Sequence, residues 1–301
     1  MQLTTGPMSF VSYVPGKDGK KIFALGLQQK GELVRYDAGA RQFVPFLGGI
    51  SAREVSFSHD GQWAAYVSFP ERILWRSKVD GSQRFQLTFP PAQAFYPGWS
   101  PDQKKIAFGG TAPGKPSKIY VIPAAGGTPQ QVMPGERYEG NPNWSPDGNS
   151  LLFGRLPFLE GGVSGLVALH VLDLRTDQIS TIPGSEGLAY PSLSPDGRYI
   201  AASRDQQNVM LYDSKTQKWT EAATLRANSL YWSRDGKYIY FDNFAAIYRV
   251  RISDRKLEEV LNLKDVRRIG GPSSGLAPDG SVFLVRNIGS EEIYALELQA
   301  P

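Results

Sequence analysis

The chain reads as an all-β protein, a seven-bladed β-propeller built of four-stranded antiparallel blades. Three observations predict it. A hairpin signal recurs seven times, its Asp falling at Asp18, Asp60, Asp102, Asp147, Asp196, Asp235 and Asp279, at spacings of 39 to 49 residues. Each copy is followed by an apolar–aromatic strand and then a polar turn, which is the period of a four-stranded blade. No stretch carries a sustained helical periodicity.

The clearest copy is Asn141–Gly154. In its turn, Ser145-Pro146-Asp147-Gly148, proline presets φ near −65° and glycine suits the left-handed residue that ends a bulged hairpin. The strand after it, Leu151-Leu152-Phe153, is apolar on both faces, so it must lie between other layers. We label the strands of a repeat a to d from the channel outwards. Strand a precedes the turn and strand b follows it. Strand c is marked by segments such as Leu33–Tyr36, Leu74–Arg76, Ile119–Ile122, Leu169–Leu172, Val209–Tyr212, Ile247–Val250 and Ile293–Leu296. Strand d follows a polar turn, as at Arg84–Thr88, Gln130–Met133, Ile179–Ile182 and Leu257–Val260. The seventh repeat stops without a strand d. Gln2-Leu3-Thr4-Thr5 matches Gln86-Leu87-Thr88-Phe89, so the last blade is expected to be closed by the N-terminal strand, which removes two open sheet edges. The longest expected loop is Leu156–Val167.

The repeat spans nearly all of the 301 residues, so the expectation is one domain, residues 1–301. With no cysteine there are no disulfides, thiolate metal sites or cysteine nucleophiles. The net charge of +4 is spread along the chain, with no Lys/Arg block of the kind that marks a nucleic-acid footprint. No apolar run reaches the roughly 18–20 residues of a membrane helix, and Met1–Thr5 carries no signal-peptide pattern. The expectation is a monomeric module, without membrane insertion or direct nucleic-acid binding, that can belong to a longer protein.

The Trp/Leu-Ser-Pro-Asp-Gly turns and the Ile-Tyr strands resemble those of the TolB-like propellers, relatives of the WD-repeat class. Gln103 stands where that pattern has Gly, and Lys17, His59 and Arg234 stand where it has Pro. The resemblance implies a propeller found at the C-terminal end of bacterial regulators, after a winged-helix domain of the ToxR/CadC type or after a kinase domain. It also implies protein binding. Compartment, periplasmic or cytoplasmic, depends on the parent protein.

The search for chemistry returns no catalytic residue, no metal site and no cofactor motif. Only two histidines exist, His59 in a turn and His170 in a strand c position, too few for a His-rich metal centre or a His-ligated lyase site. Gly271–Gly275 matches G-x-S-x-G but leads into a strand rather than the helix that a nucleophile elbow requires. Gly109–Lys115 approaches a phosphate loop, but Pro116 replaces the Ser/Thr and no helix follows. The repeated Asp residues serve turn geometry. Trp99, Trp144 and Trp232 occupy equivalent core places.

Function is therefore expected at one rim, where the d–a and b–c loops meet. The d–a loops offer Arg53, Glu54, Tyr96, Tyr138, Glu139, Asn141, Tyr190, Asn228 and Arg268, and the b–c side offers Arg155, Arg204, Asp242 and Asn243. The several arginines point to a small anionic ligand or an acidic protein segment as partner. The expected function is a non-catalytic binding propeller, the sensory or interaction module of a regulator. The alternatives are a propeller enzyme, such as a polysaccharide lyase, and a structural scaffold.

Overall fold

The computed structural model describes residues 8–17, 20–133, 139–154, 167–270 and 273–297. These form seven antiparallel sheets, six of four strands and one of three. Among the described residues there is no helix.

Five of the hairpin turns are held by the same small set of bonds. At Ser145–Gly148 the serine hydroxyl donates to Asp147 Oδ1 (2.6 Å) and accepts the Ser150 N–H (2.9 Å). Asp147 Oδ1 also accepts the Asn149 N–H (3.0 Å). Gly148 closes the turn with φ of 71°. The same serine–aspartate bond recurs at Ser58, Ser100, Ser194 and Ser233. Gln103 sits in the glycine position at φ of 62°, as expected from its place in the turn.

The order of strands from the channel outwards follows the chain. Blade 1 is Ala52–Phe57, Trp63–Ser68, Leu74–Lys78 and Phe85–Gln86. Blade 2 is Gln93–Trp99, Lys105–Thr111, Lys118–Pro123 and Gln130–Gln131. Blade 3 is Gly140–Trp144, Ser150–Gly154, Leu169–Asp173 and Ile179–Thr181. Blade 4 is Leu188–Leu193, Tyr199–Arg204, Asn208–Asp213 and Lys218–Thr224. Blade 5 is Leu230–Trp232, Tyr238–Asp242, Ala246–Arg251 and Leu257–Asn262. Blade 6 joins the two ends of the chain. Ser274–Leu276 and Val282–Asn287 are completed by Gly31–Asp37 and Gln42–Pro45.

The seven repeats thus become seven sheets, and strands from the N-terminal part of the chain close the last blade of the ring. The ring that encloses the channel uses six of the sheets. The core shows this directly. Strand b is buried on both faces, and successive residues point to opposite neighbours. Leu151 and Phe153 meet Ala107 and Ile119 of blade 2, while Leu152 meets Leu188 and Ile200 of blade 4. Equivalent clusters join blades 1 and 2, 4 and 5, and 5 and 6. The last one joins blade 6 to blade 1 through Leu33, Phe283, Ala64 and Tyr66. The indoles add a second tie. Trp99, Trp144 and Trp232 donate Nε1–H to the inner-strand carbonyls of Ser56, Gly98 and Ser192 in the preceding blade, at 3.0–3.2 Å.

The seventh sheet is Ser9–Pro15, Lys21–Gln28 and Ser290–Glu297. It flanks the ring. One face holds Phe10 against Tyr294 across Gly26, where a Cβ would lie 2.6 Å from the Tyr294 ring. Its other face leaves Val14, Phe23 and Ile293 exposed. This pairing differs from the expected one in a definite way. Leu33–Tyr36 belongs with the hairpin of Asp279, and Ile293–Leu296 with the hairpin of the first repeat. The two segments share one sequence pattern, and tertiary packing decides between them. Gln2–Thr5, the expected closing strand, and most of the expected Leu156–Val167 loop lie outside the described residues.

Candidate functional site: one mouth of the channel

The inner strands of blades 1 to 4 share a distortion. Each slips its register against strand b, at Arg53/Ser56, Phe95/Gly98, Gly140/Asn143 and Ala189/Ser192. Such a bulge bends the strand and re-aims a side chain. The residue that opens it is left-handed in all four blades: Glu54 (φ 54°), Tyr96 (49°), Asn141 (52°) and Tyr190 (54°). None is glycine, and three precede proline (Pro97, Pro142 and Pro191), which disfavours this conformation further. A left-handed non-glycine residue costs about 1–2 kcal/mol. Blades 5 and 6 have Ser229 and Ser273 at the equivalent places, without the positive φ.

All four left-handed residues line one cavity of about 300 Å³ at the mouth where the inner strands begin, together with Asn228, Tyr231 and Ser274. Arg53 Nε lies 3.1 Å from Glu54 Oε1, an ion pair without hydrogen-bond geometry. The Tyr96 N–H donates to Glu54 Oε2 at 2.7 Å. Burial pushes the Glu54 carboxyl above its ordinary range, against the opposing pull of Arg53 and Arg72. Burial also raises the Tyr96 phenol, with Glu54, Tyr190 and Tyr231 adding to it, and takes Tyr190 up to about 12. The Asn141 amide donates to the Pro191 carbonyl at 3.0 Å and holds the bulges of blades 3 and 4 together.

A second polar cluster backs the mouth between blades 5 and 6. Ser274 donates to Asp242 Oδ2 at 2.5 Å, and its hydroxyl lies 2.8 Å from the Tyr231 hydroxyl. Asp242 Oδ1 accepts from Asn228 Nδ2 (3.2 Å), the Phe244 N–H (3.2 Å) and Arg268 Nη2 (3.4 Å). Burial, then Asp242, raises the Tyr231 phenol.

Of the residues expected at this rim, Glu54, Tyr96, Asn141, Tyr190 and Asn228 come together at the cavity. Asp242 stands one step behind, orienting Ser274. Arg53 and Arg268 are not among the residues that line the cavity: both side chains are buried and face carboxylates of the chain itself. Long side chains on a loop can turn inwards when a carboxylate waits there, and two do. Arg204 is exposed at the end of its strand, outside the cavity. Asn243 caps its own hairpin, accepting the Ala245 and Ala246 N–H groups. Glu139 is buried, with its backbone bonded to Ser117. Tyr138 and Arg155 lie outside the described residues. Sequence reading missed Tyr231 and Ser274. Tyr231 had a signal, being the one large side chain directly before the aromatic or leucine that ends an inner strand, where other blades carry Ser56, Gly98, Asn143, Ser192 and Gly275.

The two histidines lie elsewhere. His59 lines the opposite mouth, where Arg234 Nη2 donates to its carbonyl at 3.4 Å. His170 packs on Phe153 with Nδ1 3.0 Å from the Thr181 hydroxyl. Ser273 donates to the Ile269 carbonyl, and the strand Ser274–Leu276 follows it, as expected for a segment that is no elbow. Among the described residues no group of three or more His, Asp or Glu is placed to hold a metal ion.

No family model matches the chain. The uncharacterized peptidase YuxL of Bacillus subtilis is 28% identical over 113 residues, 34% of this chain and 17% of that protein, so this chain spans a small part of that relative's length. Among solved structures, a TolB-type protein of Agrobacterium tumefaciens superposes with a TM-score of 0.67 at 20% identity, covering 86% of this chain and 99% of that one. The nidogen/laminin complex gives a TM-score of 0.59 at 10% identity, covering 80% and 94%. At these identities the likeness is one of architecture, and the architecture of this chain is that of a TolB-like β-propeller.

Proposed function

We propose that this propeller is a non-catalytic binding module and that the cavity at the inner-strand mouth is its ligand- or protein-binding site. One observation carries the reading. Four consecutive blades hold a non-glycine residue left-handed at the same place, and all four of those residues line one cavity. Strain repeated at equivalent positions and converging on a cleft marks function rather than packing, because glycine there would fold at lower cost. Concave sites with a few convergent polar groups are where ligands bind. That a propeller of this architecture occurs in the nidogen/laminin complex supports an interaction role. The setting in a bacterial regulator rests on sequence resemblance to such modules.

A thermal-shift panel of organic acids, sugars, amines and short acidic and basic peptides tests the site. A ligand should stabilise the wild type and lose that effect in a Tyr96→Ala/Tyr190→Ala variant. Stabilisation that survives this change but vanishes with Arg234→Ala, at the opposite mouth, would place the site at the wrong end. Peptide or polysaccharide cleavage by the wild type, lost in Ser274→Ala, would overturn the non-catalytic part.

A further inference from the structure

Arginine is plentiful around this rim, yet the cavity is not lined by it. Among the described lining residues the one Asp, Glu, Lys or Arg is Glu54. The neighbouring cations, Arg53, Arg72 and Arg268, are not among the lining residues, and Arg53 and Arg268 face Glu54 and Asp242. An anion entering here would therefore meet the Glu54 carboxyl group and a lining that carries no cation.

We infer that the mouth recognises a protonated amine, such as a peptide N-terminus, a lysine side chain or a small alkylammonium, held by the Glu54 carboxylate and the rings of Tyr96, Tyr190 and Tyr231. The inference rests on the cavity being the binding site and names the chemistry of what it takes. Three features support it. First, a carboxylate accepts about four hydrogen bonds, and Glu54 is engaged by one N–H and one ion-paired guanidinium, so acceptor capacity remains on a residue of the cavity lining whose side chain is 3% exposed. Second, Tyr96, Tyr190 and Tyr231 line the same cavity as Glu54, and the Tyr96 phenol lies close enough to Glu54 and to the other two phenols to feel their charge. Cations bind aromatic rings through the ring quadrupole, most strongly when desolvated. Third, the buried carboxyl is held above its ordinary range by desolvation. An entering cation would offset that penalty, whereas an anion would add to it.

Calorimetry with four probes of equal chain length tests this: butylammonium, butyltrimethylammonium, butanol and butyrate. Both cations should bind at least tenfold more tightly than butanol, and butyrate least of all. Glu54→Gln should lower the affinity for the cations at least tenfold and leave butanol unchanged. Equal or tighter binding of butyrate, an unchanged Glu54→Gln variant, or no binding by either cation would each overturn the assignment. Butyrate binding at least as tight as that of the cations, and lost in Tyr96→Ala/Tyr190→Ala, would do so while leaving the mouth as a binding site. Should Glu54→Gln not fold, because it leaves Arg53 buried without its partner, the wild type supplies the test. Butyltrimethylammonium cannot titrate, and the groups facing Glu54 are the guanidinium groups of Arg53 and Arg72 and the Tyr96 phenol. Its affinity should fall as pH drops through the Glu54 pKa, and a flat profile overturns the proposal.

Discussion

Arg286 donates to Glu32 Oε2 at 2.6 Å, although the two residues are 254 positions apart in the chain. Their strands are neighbours in blade 6, where the backbones also pair. This contact is where the N-terminal part of the chain locks the ring.

The lock makes an asymmetric prediction. Leu33 and Ile293 open the same apolar–aromatic pattern, but Leu33 is fully buried between blades 6 and 1 and Ile293 is 77% exposed on the flanking sheet. Leu33→Ala should cost about 2–5 kcal/mol, the range for a large-to-small change in a core. Ile293→Ala should stay within about 0.5 kcal/mol. Urea titration of both variants checks this, and equal losses would mean that both strands sit inside the ring.

Gln103 offers a local test. Its φ of 62° falls where sister turns have Gly61, Gly148, Gly197, Gly236 and Gly280 at 68° to 82°. Gln103→Gly should remove about 1–2 kcal/mol of backbone strain. Against this, the Gln103 side-chain amide donates to the Asp60 carboxylate at 2.9–3.1 Å and ties turn to turn. An exposed bond of this kind is worth up to about 1 kcal/mol. The net expectation is a modest rise in melting temperature. A fall would mean that the inter-turn bond outweighs the strain.

How much of this was legible follows from where the information sits. The turns are encoded within five residues, so the Ser–Asp bonds and even the left-handed Gln103 could be read from sequence. The choice of partner for Leu33–Tyr36 is not local and could not be. At the mouth, strand direction alone brought Glu54, Tyr96, Asn141 and Tyr190 to one end. Their bulges were invisible because no glycine marks them. The arginines misled for a related reason: residue type gives charge, but only packing shows that Arg53 and Arg268 already face Glu54 and Asp242.

The strain at the mouth can be isolated at Asn141. Both Asn141→Ala and Asn141→Gly lose the bond to the Pro191 carbonyl, so their difference reports the backbone. At an ordinary extended position alanine would be the more stable. At φ of 52° glycine should win by about 1 kcal/mol. Chemical denaturation of the pair gives the sign. A more stable alanine variant would remove the strain on which the functional reading rests.

Buried charge behind the mouth gives a larger effect. Asp242 is 1% exposed and faces Arg268, whose side chain is buried too. Asp242→Ala would leave that guanidinium and the Ser274 hydroxyl without their carboxylate acceptor. Removing one partner of a buried pair costs about 3–5 kcal/mol. Loss measured by denaturant titration should be in that range, and a change under about 1 kcal/mol would show that solvent already screens the pair.

The turns also fix how stability responds to acid. Asp60, Asp102, Asp147, Asp196 and Asp235 all have lowered pKa values, first because the turn serine donates to the carboxylate and then because the backbone N–H two residues on does so. Asp147 is taken from 3.8 to about 2, with the Asn149 amide adding to the effect. A depressed folded pKa gives stability that is present above the unfolded value and lost as pH falls through the folded one. Glu54 works in the opposite sense: its raised pKa favours the fold below 4.5, and that contribution is lost as pH rises through the folded pKa. Five turns outnumber one buried acid, so the melting temperature should fall between about pH 4 and 2. Asp147→Asn keeps an oxygen for Ser145 and for the Asn149 N–H but carries no charge to lose. It should melt below the wild type at pH 6, and the gap should close as pH approaches 2. A gap that stays constant across that range would mean that the Ser145–Asp147 bond owes nothing to ionisation.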